Sequence, residues 1–565
     1  MNADFPVALI LITGAALVPL FRGALRITYM ALLPIVSFAW LLMLPQGEFG
    51  QVQLLGQTMV LMRVDRLSLV FGYIFLIAML LNVIYAAHVK DTLQHIASLV
   101  YAGSAIGAVF AGDLLTLFVY WELTAVSSVL LIWARRSENA FRAGMRYLIV
   151  QLLSGMFLLV GALLLWHDTG TLAFGQIGLT SAGGALILIA FGIKCAFPLL
   201  HNWLQDAYPE ATPTGTVMLS AFTTKLGIYA LARAYPGTEM LIWIGTVMVA
   251  FPIFYAVIEN DLRRVLSYSM NNQLGFMVVG IGLGSELAIN GAIAHVVADI
   301  LFKALLFMSM GAVLLRTGTT KGSELGGLYK SMPWTTGFCL VGAASISGFP
   351  LFAAFVTKAM IMVAAAEQGY LWIWLVLLFA SAGVVEHAGV KIPYFAFFAH
   401  DSGKRCEEAP KNMLIAMAIT SLLCIGIGVF PGALYAFLPY AVDYEPYTMA
   451  HVVTQSQLLV FAVLGVFVLI RTGIYPPEVK SVNLDFDWTY RKLGTAVVAV
   501  CGRACGAVLE TGQKSAAVVL SRLLALVRIH HGPQGVLSRT SSTGSAATWV
   551  LVMLLAYLFL YFFRG

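Results

Sequence analysis

The chain has 565 residues, 60% of them hydrophobic and only 11% charged, with a mean hydropathy of +0.88 and a formal net charge of +6. A soluble domain carries roughly 25% charged residues, so the composition excludes a water-soluble globular protein and assigns most of the surface to lipid. The modest positive charge is spread over loops, which argues for membrane topology and against a nucleic-acid partner.

A membrane-crossing helix needs about 20 largely apolar residues. In chain order such runs lie near 5–20, 27–44, 67–87, 95–111, 114–133, 147–165, 182–200 and 215–234. They continue near 240–258, 265–283, 288–314, 335–364, 370–399, 412–434, 453–470 and 547–563. The first run leads straight into Arg22, Arg26 and a second run, so it reads as a retained helix and not as a cleaved signal peptide. With the N-terminus outside, the inward loops collect Arg22 and Arg26, then Lys90, then Arg135, Arg136, Arg142 and Arg146, then Arg263 and Arg264. Further on they hold Arg316, Lys321 and Lys330, then Lys404, Arg405 and Lys411, and finally Arg471 and Lys480. The opposite loops are nearly free of basic residues, Arg63 and Arg66 being the main exceptions. A wrong helix count would scramble this positive-inside alternation.

Past residue 471 the pattern changes. The two prolines of IYPPEV end the preceding helix, and DFDWTYRK is polar with aromatics suited to a membrane interface. From about 490 to 530 apolar and basic residues alternate at helical spacing, which predicts an amphipathic helix along the membrane surface, either an anchor or a docking arm for a partner protein. A linker, SRTSSTGSAA, precedes the last helix. The expected organisation is 1–94 as N-terminal helices, 95–400 as the core, 401–471 as C-terminal core helices, 472–546 as the amphipathic or interfacial segment, and 547–565 as the terminal helix. The fold class is an all-α polytopic membrane protein with about 14–16 transmembrane helices, a C-terminal amphipathic segment and a last helix.

Charges inside apolar runs cost roughly 2.5–3.5 kcal/mol each at the bilayer centre, so those that are present mark candidate function. Glu122 lies well inside DLLTLFVYWELTAVSS; the alternative is a protonated acid bonded to a neighbouring helix. Lys194 stands four residues before Pro198, which breaks the helix, and broken backbone inside a membrane is tolerated where protein or a wet cavity surrounds it. The alternative for Lys194 is snorkelling to the interface. Lys225 lies mid-helix in SAFTTKLGIYALAR, where a fixed ion pair is the alternative. His295, Asp299 and Lys303 follow at i,i+4 spacing on one helical face, suited to passing a proton through water; a silent Asp299–Lys303 pair would leave His295 over. Lys358 follows a second interrupted helix marked by Gly348 and Pro350. An intramembrane lysine beside a helix break in each half is the sequence sign of two inverted repeats, each with a broken helix. Glu386, His387 and Lys391 form a further cluster, either a secondary relay or a packed ion pair near the interface.

The stretch from about 110 to 400 resembles the antiporter-like subunits of respiratory complex I and of the multi-subunit Mrp-type Na+/H+ antiporters. The resemblance rests on DLLTLFVYWEL, on KCAFPLLHNWLQDAYPEATPTGTVMLSAFTTKLGIYALAR and on DLRRVLSYSMNNQLGF, followed in order by HVVADILFKALLFMSMGAV and GFPLFAAFVTK. It implies a bundle of about fourteen core helices in two inverted repeats. It also implies that Glu122 acts electrostatically on the broken-helix Lys194, that Lys225, His295 and Lys303 lie on a central axis, and that Lys358 ends the second half. Asp299 departs from many complex I members, which carry histidine there, and looks more like the D-type Mrp subunits; it would hold Lys303 protonated or offer a cation site. The tail falls short of an obvious long lateral helix.

The implied function is proton translocation in a multi-subunit bacterial inner-membrane complex, with monovalent cation (Na+)/proton antiport as the leading form. The alternative is a proton-channel module of a complex I-like, hydrogenase-type or inorganic-carbon-uptake complex. The chain shows no haem-ligand pair, cysteine cluster, nucleotide loop or nucleophile constellation, so an enzyme is not expected, nor a metal or cofactor. HNWLQDAYPE reads as the turn after the break, and Cys501 and Cys505, although spaced i,i+4, lack further ligands.

Overall fold

The computed structural model of the chain describes residues 4–54, 56–476, 478–479, 483–533, 535, 539 and 542–563; Lys480, an expected inward-loop charge, lies outside them. The chain divides into two units, Met1–Asn483 and Leu484–Gly565. All sixteen apolar runs contain helix. Among the described residues twelve helices are long and apolar enough to cross a membrane, and the protein is a multi-pass membrane protein.

The first unit opens with α1 (Val7–Leu17) and α2 (Gly23–Met43). An antiparallel hairpin follows, β1 (Gly47–Leu54) and β2 (Gln57–Val64), the one departure from an all-helical fold among the described residues. Its second strand, QTMVLMRV, buries Met59, Met62 and Val64 and returns the chain to the bundle. Next come α3 (Arg66–Tyr85), α4 (Thr92–Phe110), α5 (Leu114–Trp133) and α6 (Glu138–Thr169). These four helices begin on a capping side chain; Asp65, Asp91, Asp113 and Ser137 each accept a hydrogen bond from a first-turn amide. Asp65 also pairs with Arg63 at 3.4 Å and with Arg233 at 2.8 Å.

Proline sets the two helix breaks. α7 (Ala182–Lys194) stops at Lys194, the residue whose carbonyl the Pro198 ring would strike if the helix continued. After α8 (Asn202–Ala207), α9 (Pro213–Ala221) and α10 (Thr223–Ala234) come α11 (Glu239–Ile258), α12 (Leu262–Leu283) and α13 (Glu286–Thr317). The second break separates α14 (Pro333–Ser347) from α15 (Ala353–Glu367). Each break runs through a tetrapeptide that shares Phe-Pro-Leu, Ala196-Phe197-Pro198-Leu199 in the first and Gly348-Phe349-Pro350-Leu351 in the second. The backbone path is shared too: φ is +57° at Ala196 and +75° at Gly348, +70° at Leu199 and +74° at Leu351. Carbonyls freed at the breaks find donors on other elements. Trp203 Nε1 donates to Ile193 O at 2.9 Å, Asn271 Nδ2 to Ala196 O at 3.1 Å, and Gln455 Nε2 to Gly348 O at 3.2 Å.

α13 is the axis of the second half. It packs against α9, α12, α14 and α15, and its apolar window is wholly buried, so polar residues on any of its faces meet protein and not lipid. α16 (Leu371–Phe398) widens into π-turns at Val385–Val390 and Tyr394–Phe398, around the Glu386–Lys391 cluster. α17 (Lys411–Val429) and α18 (Met449–Arg471) complete the unit. In the second unit, α19 (Thr489–His531) is one continuous helix of 43 residues and α20 (Thr543–Phe562) a separate one of 20. The helix expected over about 490–530 is therefore present, as one element. Its interruptions, Gly494, Gly502, Gly506 and Gly512, weaken the local signal but do not break the helix.

Candidate functional site

Of the side chains singled out by charge, Lys194, Lys225, His295, Asp299, Lys303, Lys358, His387 and Lys391 are buried, whereas Glu122 and Glu386 are half-buried. In the first half, Lys194 has no exposed surface, and its Nζ donates to Thr124 Oγ1 at 2.8 Å and to Trp121 O at 3.2 Å, 4.7 Å from the centre of the Trp121 ring. Because the helix ends at Lys194, its ammonium reaches α5 at the level of Glu122. No direct ion pair joins the two among the described contacts. The Glu122 carboxylate instead turns toward α6 and lies against Gly155, where a Cβ would crowd Glu122 Oε1. That oxygen is buried and has no hydrogen-bond partner.

The centre of the molecule holds a pair that joins the halves. Lys225, from α10, meets Asp299, from α13, at 2.6 Å with both side chains fully buried, and Lys225 Nζ also donates to Ser220 O at 2.9 Å. Asp299 thus faces a lysine from the first half, and the i,i+4 partnership with Lys303 is not used. Lys303 Nζ donates to Ser269 Oγ at 2.7 Å and to Leu266 O at 3.4 Å, both on α12. The rotation of α13 that brings Asp299 to α10 turns Lys303 toward α12.

His295 sits one turn before Asp299, buried, between Gln273 Oε1 at 3.0 Å on Nε2 and Thr357 Oγ1 at 3.0 Å on Nδ1. Thr357 adjoins Lys358 on α15. Lys358 is 5% exposed; its Nζ has no hydrogen-bond partner and lies 4.9 Å from the centre of the Phe276 ring. Lys225, Lys303 and Lys358 all lie within electrostatic range of His295.

The Glu386–Lys391 cluster is not paired within itself. Glu386 Oε1 accepts from the Tyr475 hydroxyl at 2.6 Å, and Lys391 Nζ meets Glu478 Oε1 at 2.8 Å and donates to Val257 O at 2.6 Å. His387 is buried, and neither ring nitrogen makes a well-formed hydrogen bond; the Gly383 carbonyl, one turn back, is the acceptor beside it. Tyr475 and Glu478, like Gln273, Ser269 and Thr124, escaped the search for charges in apolar runs. Glu478 lies outside every span, and the others are uncharged. The NNQ run of α12 was the visible hint, since three amides side by side in a buried helix require partners.

HNWLQDAYPE is a packed turn. Asp206 pairs with Arg146 at 2.6 Å, and the buried Arg263 donates to Pro209 O at 2.9 Å, to Ala211 O at 3.0 Å and to Thr216 Oγ1.

Comparison with known proteins agrees with this architecture. Residues 111–383 match the family described as "NADH:quinone oxidoreductase/Mrp antiporter, TM". The chain is 31% identical over 424 residues to the A-type Na(+)/H(+) antiporter subunit of Alkalihalophilus pseudofirmus, covering 66% of this chain and 52% of that relative. It is 32% identical over 286 residues to the D-type Na(+)/H(+) antiporter subunit of the same organism, covering 47% of this chain and 58% of the relative. The chain therefore spans little more than half the length of these relatives. Its fold is that of a chain in the solved structure of the Mrp complex from Dietzia sp. DQ12-45-1b, with a TM-score of 0.68 at 22% identity over 81% of this chain and 99% of that one. Residues 111–383, which hold both broken helices and the lysines from Lys194 to Lys358, are therefore the segment that this chain shares with the antiporter-like proteins of respiratory complex I and Mrp-type antiporters.

Proposed function

We propose that this chain is the proton-translocating component of a multi-subunit complex in the bacterial inner membrane, exchanging protons for a monovalent cation, Na+ in the leading form. The observation that carries this reading is the buried Lys225–Asp299 pair, which bridges the two halves at 2.6 Å between a lysine on each side of it, Lys194 and Lys303. Desolvation disfavours the charged form of an amine, and a nearby charge shifts the balance again. A row of such amines responds in sequence: a charge change at Glu122 alters proton binding at Lys194, then at the Lys225–Asp299 pair, then at Lys303, His295 and Lys358. Asp299 holds Lys225 charged until a neighbouring protonation releases it, so the pair acts as the switch between two half-channels. Glu386, His387 and Lys391 serve as a secondary relay. Residues 95–400 form the translocating core, and the N-terminus lies outside.

The direct test uses everted vesicles from cells without their own antiporters, carrying the chain with its co-purifying partners. Sodium-dependent alkalinisation that disappears in Lys194→Ala is the expected result. An unchanged response in that variant removes Lys194 from the path. The family's description names a redox complex beside an antiporter, and this favours one second reading, a proton channel driven by chemistry in a neighbouring protein of the complex. No sodium response in any preparation, with proton leak still dependent on Lys194, selects it.

A further inference from the structure

The segment that follows α18 does not leave the bundle at once. As a strap, its described residues Tyr475, Glu478 and Asn483 make four contacts with α16 and with Glu259, just past α11. Tyr475 donates to Glu386, Glu478 meets Lys391, the Tyr475 ring stacks on Phe395 with centroids 6.2 Å apart, and Asn483 Nδ2 donates to Glu259 Oε2 at 3.1 Å. This strap supplies the only carboxylate bonded to Lys391 among the described residues, although Lys391 itself is fully buried. The contacts lie at the end of the bundle that carries the basic loops, because Lys391 also reaches Val257 O, one residue before the end of α11, beside Glu259 and Arg264.

Behind the strap stands His387. It is buried, with the Gly383 carbonyl of its own helix beside it, and within electrostatic range of Lys303 and Lys391. A fixed structural histidine is held by a well-formed bond to at least one nitrogen. Glu478 and Lys391 form an ion pair in which one member comes from outside the spans. Burial pushes the Glu478 carboxyl above the usual carboxylate range, and Lys391 draws it back.

We propose that Glu478 and Tyr475 of the strap complete a proton port on the basic-loop side of the second half, with His387 connecting the port to Lys303. The inference rests on the translocation reading above and adds to it a place of entry or exit and two residues that carry it. A proton arriving from the aqueous side is taken up on the Glu478 carboxylate, beside Lys391. It passes by way of Glu386 and the His387 imidazole to the Lys303 amine, and each step reverses for release.

The test compares Glu478→Gln, Tyr475→Phe and Lys303→Ala in the native complex, in vesicles, reading the rate of proton movement. Glutamine still accepts a hydrogen bond from Lys391 but cannot take up a proton. Strap position is read separately, by labelling Gly322→Cys with an impermeant maleimide; Gly322 is buried beneath Glu478, which lies 3.5 Å from where its Cβ would be. Loss of most proton movement in Glu478→Gln, with Gly322→Cys still protected, is the expected result. A normal rate in Glu478→Gln while Lys303→Ala is inactive overturns the port and leaves the translocation reading standing. Loss of transport together with free labelling makes the strap a packing element only and overturns the port as well. A normal rate in Lys303→Ala removes the pathway itself, and the port with it.

Discussion

A buried lysine and aspartate in contact, such as Lys225 and Asp299, stand or fall together. Taking two charges out of water costs several kcal/mol per ion, and the pair recovers this only while both partners remain. Asp299→Asn leaves Lys225 with the Ser220 carbonyl in place of a full counter-charge, and breaking such a pair typically costs about 3–5 kcal/mol. The double variant Lys225→Met with Asp299→Leu removes both charges at similar volume and should recover most of that stability while staying inactive in transport. Thermal unfolding of the three proteins in detergent checks this. A double variant no more stable than Asp299→Asn would show that the site needs its polarity for folding. The individual charges were legible in the sequence because 60% hydrophobic composition makes each one conspicuous. Their partners were not. Spacing of i,i+4 along α13 pointed from Asp299 to Lys303, yet tertiary packing turned Asp299 to α10 and gave Lys303 the Ser269 hydroxyl. Spacing within one helix cannot report which side of that helix each neighbour occupies.

At the scale of elements, the two breaks repeat one backbone path with one difference in sequence, Ala196 against Gly348. A non-glycine residue in the left-handed region costs roughly 1–2 kcal/mol. Ala196→Gly should therefore raise the stability of the chain by about 1 kcal/mol, and Gly348→Ala should lower it by a similar amount. Shifts of the apparent Tm in detergent, upward for the first and downward for the second, are the expected pattern; shifts of the same sign would show that the two breaks are not equivalent. Both breaks were legible, since proline within an apolar run leaves few other outcomes. The β1–β2 hairpin was not read: its alternation of polar and apolar residues lies between two long apolar runs, and only β2 buries one face. Tyr475 and Glu478 escaped notice for a related reason, because their importance comes from folding back onto α16 and not from any local pattern.

For the whole molecule, the count of crossings and the sidedness of the loops make a single prediction. In a chain whose Cys406, Cys501 and Cys505 are serine, Thr171→Cys should react with an impermeant maleimide from outside intact cells. Lys404→Cys should react only in everted vesicles. Reaction of both from the same side would break the alternation that the loop charges describe. Of the exceptions Arg63 and Arg66, Arg63 donates to Phe174 O at 3.0 Å and shares the Asp65 carboxylate with Arg233.

Three polar side chains of α12 stand at alternate positions, and each holds something different. Ser269 accepts from Lys303, Asn271 donates to the Ala196 carbonyl at the first break, and Gln273 accepts from His295. They lie within about 6 Å of helix rise, on a rod too stiff to move one without the others. If the first break shifts Ala196, that displacement reaches the hydrogen bonds of Lys303 and His295 through α12 as a push along its length, with no charge needing to travel. The two halves are thus joined mechanically as well as through the central ion pair.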